Sequence, residues 1–216
     1  PKSAPTNFNN NQYECPLWTD VSNLIDLEQR KGSNNWIGIQ SIIVRDIDGD
    51  GFCDIFVSFF SNEIESIPFL LFLYNSASGS FEDSSNLISN NIGQPFNRKT
   101  VSADFNADGV LDFVAASHPE QIDAEFSHLD VVISNDTGWK QETLYSPNRS
   151  NQEGYFHGVS VGDVDNDGDI DIVVANFHDP EGQFTLLNDG QANFERAYSI
   201  RNSKLIGEKE AFTNEL

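Results

Sequence analysis

Three nine-residue stretches of one pattern, set at near-even spacing, decide most of what this chain can fold into. They are Asp46-Ile-Asp-Gly-Asp-Gly-Phe-Cys-Asp54, Asp104-Phe-Asn-Ala-Asp-Gly-Val-Leu-Asp112 and Asp163-Val-Asp-Asn-Asp-Gly-Asp-Ile-Asp171. Their first residues lie 58 and then 59 positions apart. Self-similarity at such a period is the mark of stacked supersecondary units, each unable to bury its faces alone.

The flanks of each stretch read as strands. Ser41–Arg45 precedes the first and Ile55–Phe60 follows it; Val101–Ala103 and Phe113–Ala116 bracket the second; Val159–Gly162 and Ile172–Ala175 bracket the third. These runs are rich in Val, Ile and Phe, as strands require. Further runs at Phe69–Tyr74, Leu129–Ser134 and Phe184–Leu187 end in turn landmarks at Asn75…Gly79, Asn135-Asp-Thr-Gly138 and Asn188-Asp-Gly190. Phe81, Trp139 and Phe194 open a fourth run in each unit. No amphipathic helix separates the units, which disfavours a βαβ plan. The reading is all-β: four-stranded antiparallel blades of a β-propeller.

Organisation follows the repeat. Residues 1–12 read as a flexible extension, and 13–35 as the last strand of a preceding blade plus a linker. Three blades span 36–90, 91–148 and 149–200, and 201–216 begin another. Trp18–Ile25 supports this, matching Phe81–Ile88 at five of eight positions. Three blades and a fraction do not close a ring, so the remaining blades of a longer chain, or a partner chain, are expected to cover the open faces. The sequence begins at Pro1 and holds no Met, and is expected to be a processed chain or a piece of a longer one.

The nine-residue stretches carry metal chemistry. Alternate residues of a tight loop converge, so positions one, three and five offer oxygens to one point. Gly51, Gly109 and Gly168 at position six allow the sharp turn. Position seven offers its carbonyl and position nine returns a carboxylate. An all-oxygen nest suits Ca²⁺ before Mg²⁺ or Zn²⁺. Three ions, one per loop, would take the formal charge from -22 to -16. Since Asp-Gly is itself a favoured turn dipeptide, one such loop alone could be a plain acidic hairpin; three matched loops weigh against that. A helix–loop–helix calcium hand needs Glu at position twelve, where this chain has Val57, Ala115 and Val174.

These loops, their strand flanks and the Asn-Asp-Gly…Phe turns resemble the FG-GAP and VCBS repeats, calcium-loop blades of integrin-α-like propellers and bacterial surface proteins. The resemblance covers roughly residues 13–200. It implies part of a propeller, usually seven-bladed, on an extracellular, cell-surface or periplasmic protein, with an adhesion or ligand-recognition role. It also implies ligands at Asp46, Asp48, Asp50, Phe52 (carbonyl) and Asp54; at Asp104, Asn106, Asp108, Val110 (carbonyl) and Asp112; and at Asp163, Asp165, Asp167, Asp169 (carbonyl) and Asp171. Asn106 removes one charge, so the second loop should be the weakest. The Phe-Gly…Gly-Ala-Pro signature of the integrin version is missing, which favours the VCBS-like variety.

Composition narrows the partners. A net charge of -22 repels nucleic acid and anionic lipid, and the longest apolar run, Ile67–Tyr74, is too short to span a membrane. A protein or glycan ligand remains. The two cysteines, Cys15 and Cys53, read as separate small thiols more readily than as a pair. Among the histidines (118, 128, 157 and 178), His157 aligns by repeat with Arg98 and Gln40, at a strand entrance that could face the ligand side. An exposed polar residue is the plainer reading of that position. The polar insertions Ser61–Pro68 and His118–His128 are better candidates for recognition loops.

Nothing in the spacing demands a catalytic site, so the chain is read as a non-enzymatic binding module. An acid–base cluster of Tyr155, His157 and His178, as in a propeller-fold polysaccharide lyase, is the rival reading. A structural spacer is a third.

Overall fold

The computed structural model describes residues 37–61, 66–118, 127–145, 155–176 and 183–197. Among these, thirteen strands form three sheets. The first is an antiparallel meander of β1 (Ile37–Arg45), β2 (Asp54–Ser61), β3 (Leu70–Asn75) and β4 (Ser80–Asp83). The second is a meander of β6 (Asn97–Ala103), β7 (Asp112–Ser117), β8 (Leu129–Asn135) and β9 (Gly138–Tyr145). The third comprises β10 (Phe156–Gly162), β11 (Asp171–Asn176), β12 (Phe184–Asn188) and β13 (Phe194–Ala197).

One short strand crosses between units. β5 (Ile88–Ser89) leaves the first sheet and pairs in parallel with the outer edge of the second, Ile88 opposite Trp139. The crossing is tight at Gly138 (φ +129), where an added Cβ would sit 2.4 Å from the Leu87 carbonyl oxygen. Residue 88 therefore belongs to the neighbouring sheet, although the repeat assigns it to the unit before.

The second strands β2 and β7 are buried along their whole length, on both faces. Their alternation explains the stacking. Phe56 points toward the second sheet and stacks on Phe113 with ring centroids 3.8 Å apart, in a core shared with Ile47, Leu71, Val132 and Trp139. Ile55, Val57 and Phe59 belong to a separate cluster with Leu70 and Phe72. In β7, Val114 and Ala116 join Ile172, Val174 and Phe184 between the second and third sheets. Each sheet thus uses one face per neighbour, and each large buried side chain contributes about 1.5–3 kcal/mol.

The first strands of the three sheets lie side by side, β6 against both β1 and β10. The Thr100 backbone N–H donates to Ser41 Oγ at 3.2 Å across the first of these seams.

Cys53 is 2 % exposed and disulfide-bonded, which corrects the reading of a separate thiol. Cys15, His178, the 13–35 strand and linker, the extension 1–12 and the segment 201–216 lie outside the described residues, as do most of the two insertions. No helix among the described residues is long and apolar enough to cross a membrane.

Candidate metal centres

Each acidic stretch joins the first and second strands of its sheet and is wound on its own carboxylates. In the first loop, Asp46 accepts the Gly49 N–H at Oδ1 (2.9 Å) and the Gly51 N–H at Oδ2 (3.0 Å). Asp48 accepts from Asp50 N at 3.1 Å, and Asp50 accepts from Phe52 N at 2.8 Å. The second and third loops repeat the scheme. Asp104 and Asp163 accept the N–H of Gly109 (2.9 Å) and Gly168 (3.1 Å), while Asp108 and Asp167 accept those of Val110 (2.8 Å) and Asp169 (3.0 Å). Such side-chain to backbone turns shape the nest from within the loop itself.

Position six is left-handed in all three loops, with φ of +94 at Gly51, +89 at Gly109 and +104 at Gly168. Position four is left-handed as well: Gly49 (+79), Ala107 (+58) and Asn166 (+66). The pattern leaves position four free, yet the backbone there makes a demand of its own.

Position nine has a second role. Asp54, Asp112 and Asp171 are fully buried. One oxygen of each accepts the N–H of loop position two: Ile47 (2.9 Å), Phe105 (2.8 Å) or Val164 (2.7 Å). The other accepts an N–H of the third strand: Tyr74 (2.8 Å), Ser134 (2.7 Å) or Asn188 (2.9 Å). These carboxylates pin the loop to the sheet. Burial pushes the Asp54 and Asp112 carboxyls up to about 6.

These contacts also correct an alignment. Ile172 pairs with Leu186 as Phe113 pairs with Val132 and Ile55 with Phe72, so Asn188 corresponds to Ser134 and Tyr74. The turn residue equivalent to Asn75 and Asn135 is Asp189, whose Oδ1 accepts the Gln191 N–H at 2.9 Å. An Asp and an Asn oxygen build the same turn, and the sequence match at Asn188 hid this shift of one residue.

The oxygens come together as a hard cation would need in two of the loops. Ligand atoms of Asp46, Asp48 and Asp50 lie within 4.8 Å of one another, and so do those of Asp163, Asp165 and Asp171. That separation is the span of two calcium–oxygen bonds of about 2.4 Å. The first cluster uses positions one, three and five, the second positions one, three and nine. The donor set fits calcium. Asp48 is raised above the usual carboxylate range by burial and then by Asp50 and Asp46, and Asp165 by local desolvation and then by Asp167 and Asp171.

The second loop is knit differently. Asn106 Nδ2 donates to Asp108 Oδ2 (3.0 Å) and Ser134 Oγ (3.1 Å), and Ser134 Oγ donates to the same Asp108 oxygen at 2.9 Å. Side-chain hydrogen bonds from Asn106 and Ser134 there occupy the Asp108 oxygen, whereas Asp50, its counterpart in the first loop, belongs to the three-carboxylate cluster.

Asp189, part of the turn landmark Asn188-Asp-Gly190, also neighbours the third loop. In the third loop the Asp169 side chain lies against the following turn, where a Cβ on Gly190 would come within 2.7 Å of it. Local desolvation, Asp167 and then Asp189 raise the Asp169 carboxyl, while a hydrogen bond from the Asn193 side chain lowers Asp189. Only the pairing of β12 with β13 reveals this neighbour.

The loops are also tied to one another at one end of the sheets. Leu111 N donates to the Ile47 carbonyl at 2.8 Å, and Asn188 Nδ2 to the Phe105 carbonyl at 2.7 Å. The carbonyl of position two in one loop thus takes a donor from the next sheet.

Stacked meander sheets whose first hairpins are acidic, oxygen-lined loops define a class of repeat protein. The FG-GAP-like repeat matches residues 46–115 and again 104–174. This chain belongs to the FG-GAP-like repeat family. No curated protein sequence matches the chain. Among solved structures it is similar to the Bacillus licheniformis rhamnogalacturonan lyase PL11, at 14 % identity and a TM-score of 0.44, covering 76 % of this chain and 34 % of that one. The exotype rhamnogalacturonan lyase YesX gives 17 % identity and a TM-score of 0.42, covering 77 % and 33 %. The chain therefore spans about a third of the length of either.

Proposed function

We propose that this chain is a calcium-binding segment of an extracellular, cell-surface or periplasmic β-propeller, acting in adhesion or in recognition of a protein or glycan rather than in catalysis. The observation that carries this reading is the pair of three-carboxylate clusters at equivalent hairpins. A bound divalent ion would remove the repulsion within each cluster and lock the loop to the sheet. Three radially stacked sheets leave further faces to be covered by more blades or by a partner chain. The disulfide at Cys53 supports an oxidising compartment.

Calcium titration by isothermal calorimetry, with elemental analysis of the dialysed protein, tests it. Two sites and a weaker third are expected; protein empty in millimolar Ca²⁺ would refute the reading.

A second reading, a carbohydrate-active enzyme, has one observation in its favour. His118 Nε2 and His157 Nδ1 lie 2.7 Å apart, and the His118 ring stacks on Tyr155 at 3.7 Å. Tyr155 and His157, considered together from the sequence, each contact His118. Absorbance of unsaturated uronic products on incubation with acidic polysaccharides would decide for this reading.

A further inference from the structure

At the end of the sheets opposite the acidic loops, one feature recurs three times. The pairing of first and second strands slips by one residue between Ile39 and Ser41, between Asn97 and Lys99, and between Phe156 and Gly158. The extra residues are Gln40, Arg98 and His157, the same repeat position in each sheet. A bulge of this kind re-aims its side chain and is favoured beside functional sites.

The three bulges are connected. Gln40 Nε2 donates to the Arg98 carbonyl at 2.8 Å, Arg98 Nε donates to the His118 carbonyl at 3.2 Å, and His118 is joined to His157 at 2.7 Å. His118 is 2 % exposed, whereas Gln40 and His157 are exposed and Arg98 and Tyr155 half-buried. The backbone just before Arg98 is left-handed at a bulky residue, Phe96 (φ +52). Strain of that sort persists only where its surroundings impose it, and it gathers at binding sites.

Arg98 is the centre of the arrangement. Its guanidinium carbon lies 5.0 Å above the Phe60 ring, and Nε is taken by the His118 carbonyl. Both contacts fix the plane of the group. Its two Nη groups make no hydrogen bond and no ion pair among the described residues. In a chain with 34 acidic and 12 basic residues, a half-buried arginine with no carboxylate partner among the described residues is unexpected. The Nη pair is the edge that takes a carboxylate in a two-pronged contact. Around it stand groups that carry hydrogen-bond donors and acceptors: two imidazoles, a phenol and an amide. That set matches hydroxyls better than it matches a second charge.

We propose that Arg98, with His118, Tyr155, His157 and Gln40, forms a binding site for a carboxylate carried on a hydroxyl-rich scaffold, a sugar acid. The proposal rests on the ligand-recognition reading above and gives it a ligand class.

The test is titration of the calcium-loaded chain, followed by calorimetry or NMR, with galacturonate, galactose and N-acetyl-aspartate. Galacturonate should bind at least roughly tenfold more tightly than either comparator, and R98K, which keeps the charge but loses the fork, should lose roughly tenfold or more. R98Q should abolish the preference while leaving calcium binding intact, since the loops lie at the other end of the sheets. Galactose binding as well as galacturonate, or R98K binding unchanged, overturns the site. N-acetyl-aspartate binding as well as galacturonate overturns the sugar-acid assignment in favour of acidic peptide. Loss of calcium binding with the galacturonate preference retained would sink the calcium reading alone.

Discussion

Asp112 and Ser134 sit on neighbouring strands, and the Ser134 backbone N–H donates to Asp112 Oδ1 at 2.7 Å while the other Asp112 oxygen holds the Phe105 N–H. A single buried carboxylate thereby closes the loop and seats it on the sheet. The same construction at Asp54 and Asp171 makes it a property of the repeat.

Replacing that carboxylate by its amide separates geometry from charge. Asp112→Asn presents an NH₂ to one of two backbone donors and leaves that N–H unsatisfied in the interior. In chelator, urea denaturation should show a loss of about 1–3 kcal/mol. Asp136→Asn, at an exposed turn, should stay within about 0.5 kcal/mol of the parent. Equal values for the two would remove the clamp.

Calcium should raise the melting temperature, and chelation should lower it. For sites of ~10⁻⁴–10⁻³ M affinity, ~10 mM Ca²⁺ stabilises by about 1.4–2.7 kcal/mol per site. Asp165→Ala should cost more of this increment than Asn106→Ala, because Asn106 and Ser134 already bind Asp108 through hydrogen bonds. Scanning fluorimetry of both variants, with and without chelator, checks the order.

The pH dependence of the chelated protein has a definite sign. Asp54 and Asp112 are raised by burial to about 6, above the ordinary 3.8 that the unfolded chain would show. The folded state binds their protons more tightly, so their stabilising effect is complete below about 4 and is lost as pH rises through about 6. The metal-free protein should melt higher near pH 5 than near pH 7. In saturating calcium the order should reverse, since protons then compete with the ion. A chelated protein that melts higher near pH 7 would contradict the burial argument.

Ala107 occupies the left-handed region at φ +58, where a Cβ costs roughly 1–2 kcal/mol. Ala107→Gly relieves this at the expense of a more flexible unfolded chain, worth about 0.4–1 kcal/mol. A net gain of about 0.5–1 kcal/mol is expected from denaturant titration, with no change in ion stoichiometry.

The strands bracketing the loops were legible because strand and loop are written within a few residues of each other. Phe56 and Val57 alternate, and Asp46 and Gly51 are five apart. The clamp by position nine was hidden in a residue read as a ligand, and the turn at Asp189 lay behind a nearer match at Asn188. His118 was read as the start of an insertion, since nothing local marks it as the neighbour of His157. The paired state of Cys53 was the less favoured of two readings, since two cysteines alone do not force a bond.

What the sequence determined alone is the acidic loops and the strand runs that bracket them: within a loop the hydrogen bonds close over two to seven residues, so local chemistry suffices. Only the tertiary structure decided that Gln40, Arg98 and, through His118, His157 are linked, and that the fork edge of Arg98 beside Phe60 has no partner among the described residues. Those residues stand a full repeat apart, and what gathers them is the packing of each sheet against the next through a shared apolar core, which no short stretch of sequence encodes.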